Sequence, residues 1–552
     1  VTLSTLPVAP EPTRSGAAAC AEPPTVPAWW RRSTDLRQQA VARAARPDYE
    51  AWLAHVKPAS ACTRPVRLVG TIATIEAATG RLLAERSTAD MPDGVIYKPC
   101  GNRRESVCPS CSKLYQRDAY QIVRAGLVGG KGVPDEVAQH PAVFPTLTAP
   151  SFGEVHTRRV ERHTCARRRD CDCRPEPCHA RRRIAVCSHG VRLVCFARHA
   201  ADDPRLGAPL CMDCYPYGTQ AVWNLNAKEL WRRTTIAVNR YMWRLCRERG
   251  IPYVPTISAD GRIVKRPPVR MQFGCAAEMQ RRGAVHLHAI IRLDGVDPAD
   301  PTAIVPPPAG IDAHDLVAAI DHATATTGFV TAAHPARPGG WYIGWGDQIL
   351  TKVITVAAEG DVTDGQIAAY LAKYATKSTE VTGHTSARLT KDTIDVYADP
   401  AGSHTERLVD ACWQLADATW RCPAALCPHH DTCPACVERR AAVVKADPGR
   451  FERLRRWAHM LGFGGHFLTK SRRYSITFTM LRDNRVVFRR HQSAGPEATG
   501  TAQEPTTLIV NFLQFVGSGW RTNADAMLAN TSAAMAREHQ QAAREYLTTT
   551  AA

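Results

Sequence analysis

The sequence predicts an α+β fold: a central antiparallel sheet flanked by helices, interrupted by cysteine-rich modules and followed by a C-terminal extension. Three observations predict it. Two β-type runs, Val269 to Gln280 and Ala284 to Leu293, are separated by a Gly-containing turn. Long helical patterns lie on either side of them, at Gln220 to Gly250 and Asp364 to Ser378. Of 20 cysteines, eleven fall between Cys100 and Cys214 and five between Cys412 and Cys436.

Taken in order, residues 1–34 are Pro- and Ala-rich and are expected to be a disordered arm. Residues 35–99 form an N-terminal helical/β region, with a helical pattern from Asp35 to Val56. Residues 100–219 are a cysteine-rich module that contains the first strand of the main domain, at 140–150. Pro145 inside that strand lacks an N–H, so the strand must be an edge or be locally bent. Residues 220–400 carry the main sheet and its helices, with a further strand at Ile349 to Ala357. A helical segment with the second cysteine cluster (401–450) and a basic region (451–520) follow. The latter has a helix at Phe451 to Leu461 and a β-rich stretch at Lys470 to Arg490. Residues 521–552 form a C-terminal helix or tail.

The chain has 552 residues, 44% of them hydrophobic, and a net charge of +18. That length exceeds one ordinary core, and the charge points to an anionic partner. No apolar run is long enough to span a bilayer, which argues against a membrane protein and for a cytoplasmic one. In a reducing compartment, clustered cysteines bind metal more often than they form disulfides.

The segment from Glu278 to His288 carries the chemistry. Arg281-Arg282-Gly283 suits a three-residue hairpin loop with Gly283 left-handed. Gln280 then faces Ala284, Glu278 faces His286, and His288 joins the same face two residues on. Opposed β-carbons lie roughly 4.5–5.5 Å apart, so two imidazoles and a carboxylate converge. Such a mixed set with open positions suits catalytic Mg²⁺ or Mn²⁺.

On the helix from Asp364 to Ser378, Ile367, Ala368, Leu371 and Ala375 form an apolar stripe, with Tyr370 and Tyr374 at its edge and Lys373 and Lys377 beyond. A phenol is only about 0.1% ionised at neutral pH. Nearby ammonium groups and a metal favour the phenolate and attract a DNA phosphate. Tyr374 lies between the two lysines, which favours it for a first nucleophilic attack.

The cysteines are read as structural Zn²⁺ ligands. Cys108, Cys111, Cys211 and Cys214 form two paired knuckles that suggest one tetrahedral ion. Cys100, Cys165, Cys171, Cys173, Cys178, His179, Cys187, His189 and Cys195 offer ligands for a second, and Cys422, Cys427, Cys433 and Cys436 make another four-ligand set. Arg281 and Arg282 at the hairpin tip, the ten arginines of Arg158 to Arg183, and Lys470, Arg472 and Arg473 suit phosphate contact.

These segments together resemble the HUH endonuclease superfamily: Phe144-Pro-Thr146-Leu-Thr148, then His286-Leu-His288, then Tyr370-x-x-Lys373-Tyr374-x-x-Lys377. Glu278, eight positions before the first His, resembles the third metal ligand of viral single-strand replication proteins. Closer still is the RepSA-like group of actinobacterial plasmid replication initiators. That resemblance rests on Cys100-Gly-Asn-Arg-Arg, Cys108-Pro-Ser-Cys111, His140-Pro-Ala-Val-Phe, Gln280 to His288, Trp457-Ala-His-Met-Leu-Gly-Phe and Gly465 to Tyr474.

The resemblance implies metal-dependent, strand-specific nicking and joining of plasmid origin DNA, single-stranded at the nick, through a 5′-phosphotyrosine. It implies a rolling-circle replication initiator. No Gly-x-x-x-x-Gly-Lys-Ser/Thr pattern is present around Gly126 to Gly132, so a host helicase is expected as partner. A conjugative relaxase or HUH transposase would share the chemistry. A non-catalytic zinc-containing DNA-binding regulator would share only the basic and cysteine-rich segments.

Overall fold

The computed structural model describes residues 28–160, 175–181, 185–258, 260–354, 364–375, 388–416, 434, 449–493 and 507–550. The chain divides into two compact units, Val1–Pro99 with Pro505–Ala552, and Cys100–Glu504.

In the first unit, α1 (Ala28–Ala44) and α2 (Tyr49–Val56) break the single helical pattern expected there. Pro47 lies between them and cannot continue a helix. Strand β1 (Val66–Glu76) pairs with β2 (Leu82–Ser87) and β3 (Ile96–Lys98). Its other neighbour is β13 (Thr507–Ser518), which leads into α10 (Asn523–Thr550). The C-terminal segments drawn from sequence as separate regions therefore contribute a strand and a helix to the N-terminal unit. Trp52, Val56 and Tyr97 form its centre, and the buried Asp93 carboxylate accepts from Trp52 Nε1 (2.8 Å), the Tyr97 hydroxyl (3.1 Å) and Arg43 (3.0 Å).

The second unit is organised by a five-stranded antiparallel sheet. Before it comes α3 (Pro109–Val128), a helix the sequence reading missed. Then β4 (Ala142–Thr148) is followed by α4 (Tyr217–Glu248), and a ribbon of β5 (Val254–Ile257) and β6 (Ile263–Arg266). The hairpin is β7 (Val269–Met279) and β8 (Val285–Gly295); α5 (Ala313–Thr326) comes next. A second ribbon pairs β9 (Gly328–Val330) with β10 (Tyr342–Gly344), ahead of β11 (Leu350–Val353) and α6 (Asp364–Ala375). After α7 (His404–Leu415) and α8 (Gly449–Arg456), β12 (Leu468–Lys470) completes the sheet and α9 (Phe478–Ser493) follows. The strand order is β11-β4-β8-β7-β12.

Alternation along β7 and β8 divides the core. Val285, Leu287, Ala289, Ile291 and Leu293 pack against α4 and α5, on Trp223, Leu230, Met242, Leu316 and Ile320. The opposite face carries Ala276 and Ile290 against α3 and α6, on Val123, Leu127, Ile367, Ala368 and Leu371. Each face buries a helix stripe, which fixes register, because a one-residue slip would exchange the faces.

Of the two alternatives for the Pro145 strand, an edge or a local irregularity, the second holds: β4 is an interior strand between β11 and β8. Its ladder to β8 pairs Ala142 and Val143 with Arg292 and Ile291, resumes at Thr146, and skips Phe144 and Pro145. The missing N–H is thus absorbed by a gap rather than by an edge. The stretch from Lys470 to Arg490, expected to be β-rich, is mainly helical. On α9, Arg482 and Arg485 lie one turn apart and converge on the buried Asp118 carboxylate of α3, at 3.0 and 2.5 Å. That pairing is invisible in the local sequence. Among the described residues, no helix is long and apolar enough to cross a membrane.

Candidate active site

The hairpin has the register its sequence predicts. Gln280 N donates to Ala284 O (2.9 Å), Gly283 N donates to Gln280 O (2.8 Å), and Gly283 has φ +73°. Glu278 opposes His286, and Ala276 opposes His288. A side chain at Gly283 would also meet Leu408 of α7 at 2.8 Å, so the tip is crowded by a neighbouring helix as well as constrained by its backbone. Neighbouring helices hold the tip. Asn224 of α4 donates to Gly283 O (2.8 Å) and accepts from Val285 N (3.0 Å). Arg282 O accepts from Gln220 Nε2 (2.8 Å) and meets His404 Nε2 at 2.9 Å.

On the face toward α6, Glu278 Oε2 lies 3.1 Å from His288 Nε2. The His286 ring is beside His288, with centroids 4.5 Å apart. Glu278 thus closes on the diagonal His288 rather than on His286 directly across the ladder, and the expected three-way convergence becomes a contact pair with a flanking imidazole. Burial, with His288 and Arg282 nearby, pushes the His286 imidazole down to about 3, so it is neutral at pH 7. Two imidazoles and a carboxylate fit a divalent ion by donor type.

Strand β4 supplies the hydroxyls beside the two imidazoles. Thr146 Oγ1 lies 3.2 Å from His288 Nδ1, and Thr148 Oγ1 lies 3.2 Å from His286 Nδ1. A hydroxyl accepts or donates, so each contact orients its ring whichever nitrogen carries the proton. Groups of this kind fix ligand orientation. Their signal was the Thr-Leu-Thr alternation, which places both hydroxyls on the histidine face.

The helix α6 delivers the phenol. Ile367, Ala368, Leu371 and Ala372 are buried and dock the helix on the sheet. Tyr370 stays 38% exposed, its hydroxyl 3.4 Å from His288 Nε2. Phe144 stacks on His288 and meets Tyr370 edge-on, both with centroids 6.0 Å apart. Lys373 is exposed, one turn further along. The side chain of Tyr374, and all of Lys377, lie outside the described residues.

The basic residues are less available than the sequence suggests. Arg282 donates to Ala149 O and Pro150 O (3.1 Å each), and its guanidinium lies over Phe152. Arg281 donates to Ala201 O (2.6 Å) and Asp203 O (3.3 Å). Lys470 Nζ donates to Ser475 O (2.7 Å), and burial lowers its pKa. Arg472 is exposed and Arg473 half-buried. Arg281, Arg282 and Lys470 thus brace backbone carbonyls, a use that charge in a sequence cannot distinguish from phosphate binding.

The two Cys-x-x-Cys pairs do not meet. Cys108 and Cys111 gather with Cys100, their sulfurs within 4.8 Å of one another. Cys211 and Cys214 gather instead with Cys187 and His189. Cys195 joins Cys178, His156 and His199, of which the two histidines were missed. The Cys195-x-x-x-His199 spacing was the available signal for His199; His156 has none of that kind. His179 turns to Val155 O (2.7 Å). Cys165, Cys171, Cys173, Cys422, Cys427, Cys433 and Cys436 lie outside the described residues.

Comparison with known proteins bears on most of the chain. A curated "Replication initiator protein" from Streptomyces ambofaciens is 35% identical over 514 residues, covering 91% of this chain and 94% of the relative. No solved structure matches. The RepSA family, described as "Replication initiator protein, pSAM2", matches residues 48–534, and the chain belongs to that family of replication initiators.

Proposed function

We propose that this chain initiates rolling-circle replication of a plasmid or integrative element by nicking one origin strand with Tyr370 and later rejoining it. The observation that carries this reading is the line Glu278–His288–Tyr370, with contacts of 3.1 and 3.4 Å. It sets a nucleophile beside a candidate metal site on rigid elements.

The Tyr370 oxygen attacks phosphorus in line. The phenolic proton leaves to solvent, the P–O3′ bond breaks, and the departing oxygen becomes a 3′-hydroxyl. The product is a 5′-phosphotyrosine. A divalent ion held by Glu278, His286 and His288 would polarise the phosphate and stabilise its developing charge. Thr146 and Thr148 hold the imidazoles, and Lys373 attracts the phosphate. Reversal by a 3′-hydroxyl restores the phosphodiester without ATP, because the ester bond energy is retained. Tyr374 and Lys377 serve the closing step. The contact of Tyr370 with His288 supports Tyr370 for the first attack, while the place of Tyr374 between the two lysines supports Tyr374. Strand separation falls to a host helicase.

Mass spectrometry of the peptide left on a nicked single-stranded origin oligonucleotide in Mn²⁺ tests this. A peptide modified at Tyr370 is expected. No covalent adduct would instead favour a zinc-containing DNA-binding regulator. Family membership favours the initiator over a relaxase or transposase, and rolling-circle intermediates from an origin beside the gene would separate them.

A further inference from the structure

Four ligand pairs lie along the stretch between β4 and α4: His156 with Cys178, Cys187 with His189, Cys195 with His199, and Cys211 with Cys214. The first and third pairs share one cluster, and the second and fourth share another. We propose that these are two cross-braced zinc sites, and that the first positions the tip of the catalytic hairpin through Asp203 and Arg281.

The distances lie close to tetrahedral edges. Zn–S near 2.3 Å and Zn–N near 2.0–2.1 Å place neighbouring ligand atoms about 3.3–3.8 Å apart. In the first cluster, His156 Nδ1 to His199 Nε2 is 3.2 Å, Cys195 Sγ to His199 Nε2 is 3.5 Å, and Cys178 Sγ to His156 Nδ1 is 3.8 Å. In the second, Cys187 Sγ to Cys211 Sγ is 3.6 Å, His189 Nδ1 to Cys214 Sγ is 3.1 Å, and Cys211 Sγ to His189 Nδ1 is 3.9 Å. A disulfide needs about 2.05 Å, so the sulfur pair is not one.

The surroundings are those of metal ligands. His199 Nδ1 donates to Asp203 Oδ2 at 2.7 Å, which turns Nε2 toward the cluster. Arg205 fixes that carboxylate at 2.9 Å. The Thr157 amide donates to Cys178 Sγ at 3.1 Å.

The first site then reaches the hairpin by a short path. Asp203 orients the His199 ring, while Asp203 O and Ala201 O accept from the Arg281 guanidinium. Gly207, at φ +89°, lies so close to the tip that a Cβ there would sit 2.5 Å from the Arg281 carbonyl carbon. The second site has its own path: Asp213, between Cys211 and Cys214, accepts from Arg407 of α7 at 2.6 Å, and α7 also carries His404 against Arg282 O.

Metal analysis of the full-length chain, with no DNA present, tests the assignment. His199→Ala and Cys211→Ser should each lose one equivalent of zinc, and the double variant two. His199→Cys should retain the full content and keep the test open if the alanine variant folds poorly. Undiminished zinc in either single-loss variant overturns the assignment of its site. Asp203→Asn should weaken zinc binding roughly 10–100-fold. Positioning is read by hydrogen exchange at the Gln280 and Gly283 amides. It should be faster in His199→Ala and native in His199→Cys. Unchanged exchange in a chain that has lost the ion overturns the positioning role. Neither readout involves strand cleavage, so each stands or falls apart from the nicking reading.

Discussion

The β7–β8 hairpin and the stretch from Pro150 to Tyr215 belong to the same unit but are ordered differently. β8 buries ten of its eleven residues, and each large side chain removed from water contributes about 1.5–3 kcal/mol. The neighbouring stretch has no regular strand or helix among its described residues. It is joined by isolated bridges such as Val155–Pro209, His179–Cys195 and Val186–Arg192, and leaves Val186 and Phe196 exposed. Buried area orders the hairpin, and point contacts among cysteine, histidine and aspartate order the module. The candidate site therefore lies on the part of the unit held by buried area, next to a part held by point contacts.

The largest effect should separate chemistry from architecture. Tyr370→Phe should lower adduct formation at least about a thousandfold, as expected for removing a nucleophile, with the melting temperature unchanged. A variant that still forms adduct at the native rate would move the chemistry to another residue. Next comes the contrast in ordering itself. Ile290→Ala, in the packed face beneath α6, should cost about 3 kcal/mol in denaturant unfolding. Phe196→Ser in the module should stay within about 0.5 kcal/mol. Equal costs would mean that the module has a core of its own. A smaller effect sharpens the picture of the hairpin: Thr146→Val, similar in volume, should weaken Mn²⁺ binding roughly tenfold by freeing the His288 ring. Titration calorimetry reads it, and native affinity would leave Thr146 with packing alone. Among the expected losses the smallest is that of Ser403→Ala, about 1 kcal/mol in denaturant unfolding, because Ser403 and Glu406 cap α7 reciprocally and α7 supports the tip through His404.

The same contrast explains what a reader of the sequence can see. The hairpin was legible because alternation and a left-handed Gly283 are local signals, and they place Glu278, His286 and His288 on one face. The docking stripe of α6 was legible for the same reason. The diagonal closure of Glu278 on His288 was not, since it depends on side-chain reach rather than register. Nor was the grouping of Cys211 with Cys187, because isolated bridges have no period and the alternation of ligand pairs arises only when the chain crosses itself. Helices α5 and α7 each begin with a reciprocal cap, Asp312 with Asp315 and Ser403 with Glu406; α7 falls within the segment expected to be helical, whereas α5 was not expected despite that local mark. The carbonyl contacts of Arg281 and Arg282 were not legible for a different reason: a guanidinium suits a carbonyl as well as a phosphate.

The pairing of Glu76 with Thr507 has a consequence for synthesis. A ribosome adding about 5–20 residues per second needs roughly 20–90 seconds to make the intervening chain. Through that interval the nascent N-terminal sheet presents one unsatisfied backbone edge along β1. Chaperone capture should concentrate there, and premature termination anywhere before β13 releases a product primed to aggregate by that edge.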